Sequence, residues 1–169
     1  MFKLQFDQKE ISYWSKRYPV ADDYQVEKII APQVRNRGYF TKPDLLTMCH
    51  WKTPRSKPMV ERNLEGFIKT ITRTALSTPD EHFRIEVLTL LSGVSWSTAS
   101  VLLHFGFPDT YPILDYRALW SLGIEVSPAF YNFGFWWQYT QFCKQLAAKT
   151  GVTMRELDRA LWQYSKENQ

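Results

Sequence analysis

The sequence predicts an all-α protein, a compact helical domain over residues 1–169. Three observations predict it. Apolar residues recur at helical spacing, as in Leu45, Leu46, Met48 and Trp51 and again in Leu64, Phe67, Ile68, Ile71 and Leu76. Helix-start signals stand at Thr41, Thr78 and Thr153, and helix-stop glycines at Gly38, Gly93, Gly123 and Gly151. No stretch alternates apolar and polar residues convincingly enough to read as a strand.

Taken in order, residues 1–20 predict a short helix near residues 8–16, ending before Pro19. The segment DDYQVEKIIAPQVRNRG has acidic residues at its head and Arg35, Arg37 and Gly38 at its tail, which complements a helix dipole at both ends. Pro32 inside it is expected to kink or split the helix. Thr41 is an N-cap with Pro43 in the first turn of the next helix, and Ser56, Lys57 and Pro58 mark a loop. Residues 63–76 form an amphipathic helix, with Lys69 and Arg73 one turn apart on its outer side. Thr78-Pro79-Asp80-Glu81 reads as a capping box with proline at the first helical position, opening a helix that runs to Gly93. A second helix follows that turn, and a third begins after Asp115. Residues 124–134 are a loop, residues 135–148 a helix, and Thr153-x-x-Glu156 is a capping box for a last helix to about Tyr164.

Composition bounds what such a domain does. With 44% hydrophobic residues the chain is globular rather than disordered, and 169 residues bury about two thirds of their unfolded surface. Seven Trp, nine Tyr and eleven Phe exceed the needs of a plain core, so some are candidates to line a groove or pocket. The net charge of +4 is concentrated: residues 52–73 hold six Lys/Arg against two Asp/Glu, whereas 74–169 hold seven against nine. That pattern suits a protein meeting phosphates on one face, and equally an ordinary solvated surface. Cys49 and Cys143 lie far apart and lack metal-ligand spacing, which points to reduced thiols in a cytoplasmic protein. The opening MFKLQFDQKE has no apolar run of the signal-peptide kind, and no window approaches 18 uncharged apolar residues, so neither a membrane nor secretion is expected.

Residues 90–122, LLSGVSWSTASVLLHFGFPDTYPILDYRALWSL, carry the chemistry. The turn Ser92-Gly93-Val94-Ser95 joins two helices over about residues 81–106, and Gly93 supplies its backbone freedom. Backbone N–H groups from Ser95 through Trp96 and Ser97 to Thr98 have no carbonyl partner within their helix, which makes an anion site. Val94, Ala99, Val101, Leu102 and Leu103 pack the pair. A loop with Pro108 and Pro112 then delivers Asp115 to the start of the third helix.

The pattern L-x-G-V-x-x-x-T-A-x-x-V/L-L, followed by a proline loop and an aspartate, resembles the helix-hairpin-helix base-excision DNA glycosylases of the endonuclease III-like group. It covers about 35 residues, and Asp115 follows Gly93 by 22 residues, the separation that group places between hairpin glycine and catalytic aspartate. The resemblance implies a glycosylase-like fold, double-stranded DNA as partner, and hydrolysis of the N-glycosidic bond of a damaged or modified base. It leaves room for a potassium or sodium ion on the hairpin carbonyls and implies no other cofactor. Asp115 would stay ionised at its helix start and activate water or stabilise an oxocarbenium-like sugar. The base must leave the duplex, which calls for aromatic surfaces and a wedge, and Trp51, Tyr116, Trp136, Trp137 and Trp96 are the candidates. This chain also departs from the family. Ser97 stands where bifunctional members carry their lysine nucleophile, so only monofunctional chemistry is implied. Ser95 replaces the second hairpin glycine, Asp115-Tyr116-Arg117 replaces aspartate-threonine-histidine, the iron–sulfur cysteines are missing, and the short chain implies a reduced lobe.

Each candidate has a plainer reading. Asp115 also suits a simple N-cap of YRALWSL, and capping does not exclude catalysis. Of Trp136 and Trp137, adjacent on one helix, at most one faces the core squarely. Lys52, Arg55 and Lys57, beside Trp51, form either a phosphate-binding loop or a solvated one. A non-catalytic helix-hairpin-helix module that binds DNA or a protein is therefore the alternative function.

Overall fold

The computed structural model describes residues 2–169 and is all-α; among these residues no strand forms. The described residues gather into two compact units, one built from the residues up to 19 together with 108–169 and the other from the continuous stretch 20–107.

The continuous unit begins with a 3-10 turn, Ala21–Asp23, and a π-helical segment, Gln25–Ile30, which passes directly into a helix, Ala31–Arg37. Sequence reasoning expects Pro32 to kink or split this helix; the segment is split in two, with the turn widened upstream of the proline. Proline lacks an N–H and its ring collides with the carbonyl four residues back, and a π turn removes both demands. Gly38 ends this helix at φ 80°, a left-handed conformation that relieves the terminal carbonyls. The next helix, Lys42–Lys52, starts at Thr41 in a reciprocal capping box with Asp44, and buries Leu45, Met48 and Cys49. A 3-10 turn, Pro54–Ser56, and a single helical turn, Lys57–Val60, follow.

The helix Glu65–Ser77 buries Ile68, Ile71, Thr72 and Ala75. Its expected inward face needs correction, since Leu64 is 76% exposed and Phe67 44% exposed. Thr72 and Ala75 take up the core positions, because Thr72 Oγ1 accepts the Phe40 amide at 3.0 Å and satisfies it inside. The capping box at Thr78 also shifts: Asp80 is the N-cap of Glu81–Glu86, accepting the Phe83 amide, and Pro79 stays outside the helix. This helix tightens to a 3-10 turn, Val87–Leu90, before Gly93. Buried Arg84 ties the corner together by donating to the carbonyls of Ala75 and Thr78. The helix Trp96–Gly106, with eight consecutive buried residues from Thr98 to Phe105, is the spine of the unit.

The other unit pairs a short helix, Ile11–Arg17, with the last helix, Met154–Asn168, and sets Tyr116–Trp120 and Phe133–Thr150 against them. The capping box Thr153–Glu156 forms as expected. Aromatics hold this unit: Phe6 and Trp14 meet Tyr164 at 4.6 and 5.2 Å, and Phe2 packs on Phe142 at 5.5 Å. Much of the aromatic surplus is thus packing material. No helix among the described residues is long and apolar enough to cross a membrane.

Candidate functional site

In the continuous unit the turn at Gly93 is pinned from one side. Asn63, nearly buried, donates to the Ser92 carbonyl and accepts the Ser92 amide, both at 2.9 Å. Gly93 has φ 78°, and a Cβ there would lie 2.8 Å from Val60 Cγ2 and 3.1 Å from Met59 Cβ. The turn therefore rests directly on the segment that carries the basic loop. Lys52 is half-buried, Arg55 and Lys57 are exposed, and Lys57 reaches Glu61 at a loose 3.8 Å. Residues more than 30 apart in sequence thus meet at Gly93, and sequence reasoning had no signal for that contact.

At the start of Trp96–Gly106, Ser95 Oγ accepts the Thr98 amide at 3.4 Å, and Thr98 itself is buried. Thr98 packs inside the unit, and its amide already has an oxygen partner in the N-cap Ser95. The amides of Trp96 and Ser97 remain ahead of the first intrahelical bond, which runs from Ala99 N to Ser95 O. The side chains of Trp96 and Ser97 are half-exposed and Ser95 is exposed, whereas Val94 is buried.

A second basic cluster escaped the sequence reading. The cations of Arg37, Lys69 and Arg73 stand 5.0, 5.6 and 4.9 Å from the centre of the Tyr39 ring. Lys69 and Arg73 are legible as a pair on one helix, but nothing in the sequence ties them to Tyr39.

Asp115 belongs to the other unit. The chain approaching it is fixed by the helix Phe133–Thr150: buried Tyr111 stacks on Trp136 at 5.7 Å, and the Tyr139 hydroxyl donates to the Ile113 carbonyl at 2.9 Å. Asp115 is half-buried, and its Oδ1 accepts the Arg117 amide at 2.9 Å, so the capping role is real. Buried Tyr131 has its phenol held above the usual range, first by burial and then by the negative charge of Asp115. The carboxylate therefore faces a phenol that stays protonated.

The four expected pocket aromatics are divided between the units. Trp136 is fully buried and belongs to the core, because the stack with Tyr111 uses it to anchor the Asp115 loop. Trp137 is half-buried, stacked on Phe133 at 5.9 Å with the Lys144 ammonium 5.8 Å from its centre. Tyr116 is 53% exposed and lines a cleft of about 180 Å³ with Leu119, Trp120, Ile124, Glu125 and Val126. Trp51 lies in the continuous unit, where its indole donates to Asp23 at 3.1 Å. Cys49 and Cys143 are free and buried, and burial pushes the Cys49 thiol up to about 12. Among the described residues no group of three or more His, Cys, Asp or Glu side chains gathers in a way that would hold a metal ion.

No family model, curated protein or solved structure matches this chain.

Proposed function

We propose that the protein binds double-stranded DNA through the continuous unit, with the turn at Gly93 and the loop 52–57 as one phosphate-contacting surface. The observation that carries this reading is the seat of Gly93 on Met59 and Val60, which joins the free amides at the head of Trp96–Gly106 to Lys52, Arg55 and Lys57. The reaction proposed for it is monofunctional hydrolysis of the N-glycosidic bond of a damaged or modified base. Asp115 takes a proton from the attacking water, or stabilises the positive sugar, as the bond to the base breaks. Ser97 supplies no amine, so the abasic strand is left uncut. A non-catalytic DNA-binding role is favoured by one observation, that the Asp115 carboxylate is engaged as an N-cap.

The binding half is tested by titrating duplex DNA at rising salt. Affinity should fall steeply, since each displaced phosphate counterion adds about −0.9 to the log–log slope. Reversing charge at Lys52, Arg55 and Lys57 together should lower affinity across sequences and flatten that slope by about three. Salt-independent binding sinks the nucleic-acid reading. The catalytic half is tested by screening modified-base duplexes with alkali to reveal abasic sites. Borohydride should trap no protein–DNA adduct, and a trapped adduct would mean an amine nucleophile is at work.

A further inference from the structure

The continuous unit holds a cleft of about 430 Å³ lined by Asp22, Gln25, Val26, Thr47, His50 and Trp51. Its volume falls within the range of small-molecule sites, a few hundred Å³ or more. Its construction is specific. The Trp51 indole is held from two sides, by its hydrogen bond to Asp23 and by edge contact with Phe105 at 5.5 Å. Buried Val26 gives an apolar patch beside it. Around the rim stand a carboxylate, an amide, a hydroxyl and an imidazole, from Asp22, Gln25, Thr47 and His50. One wall is the π-helical segment Gln25–Ile30, a distortion often found at functional positions.

A fixed aromatic plane with a rim of donors and acceptors suits a flat, polar heterocycle. The acidic member of the rim favours one that presents N–H groups, because an ionised carboxylate only accepts. The cleft's neighbour along the chain is Lys52, and the turn that follows carries Arg55, so a phosphodiester backbone has cations immediately beside the aromatic surface. We infer that this cleft receives one unpaired nucleobase with an exocyclic amino group, stacked on Trp51 and contacted by Asp22, from a strand whose phosphates lie on the loop 52–57. The inference rests on the nucleic-acid reading above and adds to it a base-receiving site remote in sequence from Asp115.

The test uses the full-length protein and three probes: a single-stranded oligonucleotide with one 2-aminopurine, the same base in an intact duplex, and the free 2-aminopurine nucleoside. Stacking on Trp51 should quench the single-stranded probe. Oligo-dC and oligo-dA should compete for it at least fivefold better than oligo-dT, whose base has no exocyclic amino group. Trp51→Ala should weaken single-strand binding about tenfold or more, within the range of one base–aromatic stack, and change duplex affinity less than twofold. Asp22→Ala is the guard against misfolding, since Asp22 is exposed; it should lower affinity for oligo-dC and oligo-dA about fivefold, to the level of oligo-dT, with the parent's circular dichroism unchanged. Equal losses on single strand and duplex, or no discrimination against oligo-dT, overturn the inference. So does free nucleoside competing as well as the strand. If charge reversal at the basic loop leaves duplex binding intact, the nucleic-acid reading itself fails; if only the Trp51 and Asp22 variants are silent, this inference fails alone.

Discussion

At the scale of the residue, Asp115 and Gly93 carry opposite kinds of constraint. Asp115 does two jobs separable by substitution. Asp115→Asn keeps an oxygen for the Arg117 amide, so folding should stay near the parent's, while any excision should be abolished because the charge is gone. Asp115→Ala loses the cap as well and should cost about 0.5–2 kcal/mol in denaturant unfolding. An Asn variant that excises at the parental rate would leave Asp115 as a cap alone. Gly93→Ala meets two penalties, the left-handed φ and contact with Val60 and Met59. It should destabilise by about 1–3 kcal/mol and weaken duplex binding in parallel. Residues of this kind were legible because they punctuate the chain: a glycine at a stop, an aspartate at a start. Trp136, Thr98, Leu64 and Phe67 were not, because inward or outward placement depends on which neighbours fill the core. Thr72 illustrates the point, a polar residue drawn inside by the amide of Phe40.

At the scale of the element, starts and stops were read well and the interiors less so. The helices at Thr41 and Thr153 begin as expected, and Gly38 and Gly151 end theirs in the left-handed region. Around Pro32 a kink and a split were both open, since a local rule for proline does not say whether the chain will bend or widen a turn; it splits. The last helix offers a measurable electrostatic cap. Glu156 is held below the ordinary carboxylate value of 4.5, first by the Thr153 amide and then by its hydroxyl. A depressed folded value means the stabilisation is present above that ordinary value and is lost as pH falls through the lowered one. Glu156→Gln should therefore melt below the parent at pH 7, and the gap should close on acidification past 4.5. A gap that persists unchanged in acid would remove the charge from the explanation. Thr153→Ala should cost about 1 kcal/mol at neutral pH.

At the scale of the whole molecule, the two units differ in how the chain builds them. One is continuous, and the other is closed by the chain's first residues. Lys3 N donates to the Leu122 carbonyl and Gln5 N to the Ser121 carbonyl, both at 2.9 Å, and Phe2 and Phe6 fill aromatic clusters. Deleting residues 2–6 should therefore lower amide protection in Tyr116–Trp120 and Met154–Asn168, read by hydrogen exchange. Unchanged protection there would show the segment to be ornamental.

The same discontinuity sets an order of events during synthesis. Residues 20–107 form their unit from one continuous stretch, so all of it is made before residue 108. The opening segment meets Ser121 and Leu122 only after about 115 more residues and Tyr164 after about 160, a delay on the order of ten seconds at 5–20 residues per second. Through that interval Phe2 lacks Phe142 and Phe6 lacks Tyr164, so slowing translation of the last third lengthens the window for capture by a chaperone.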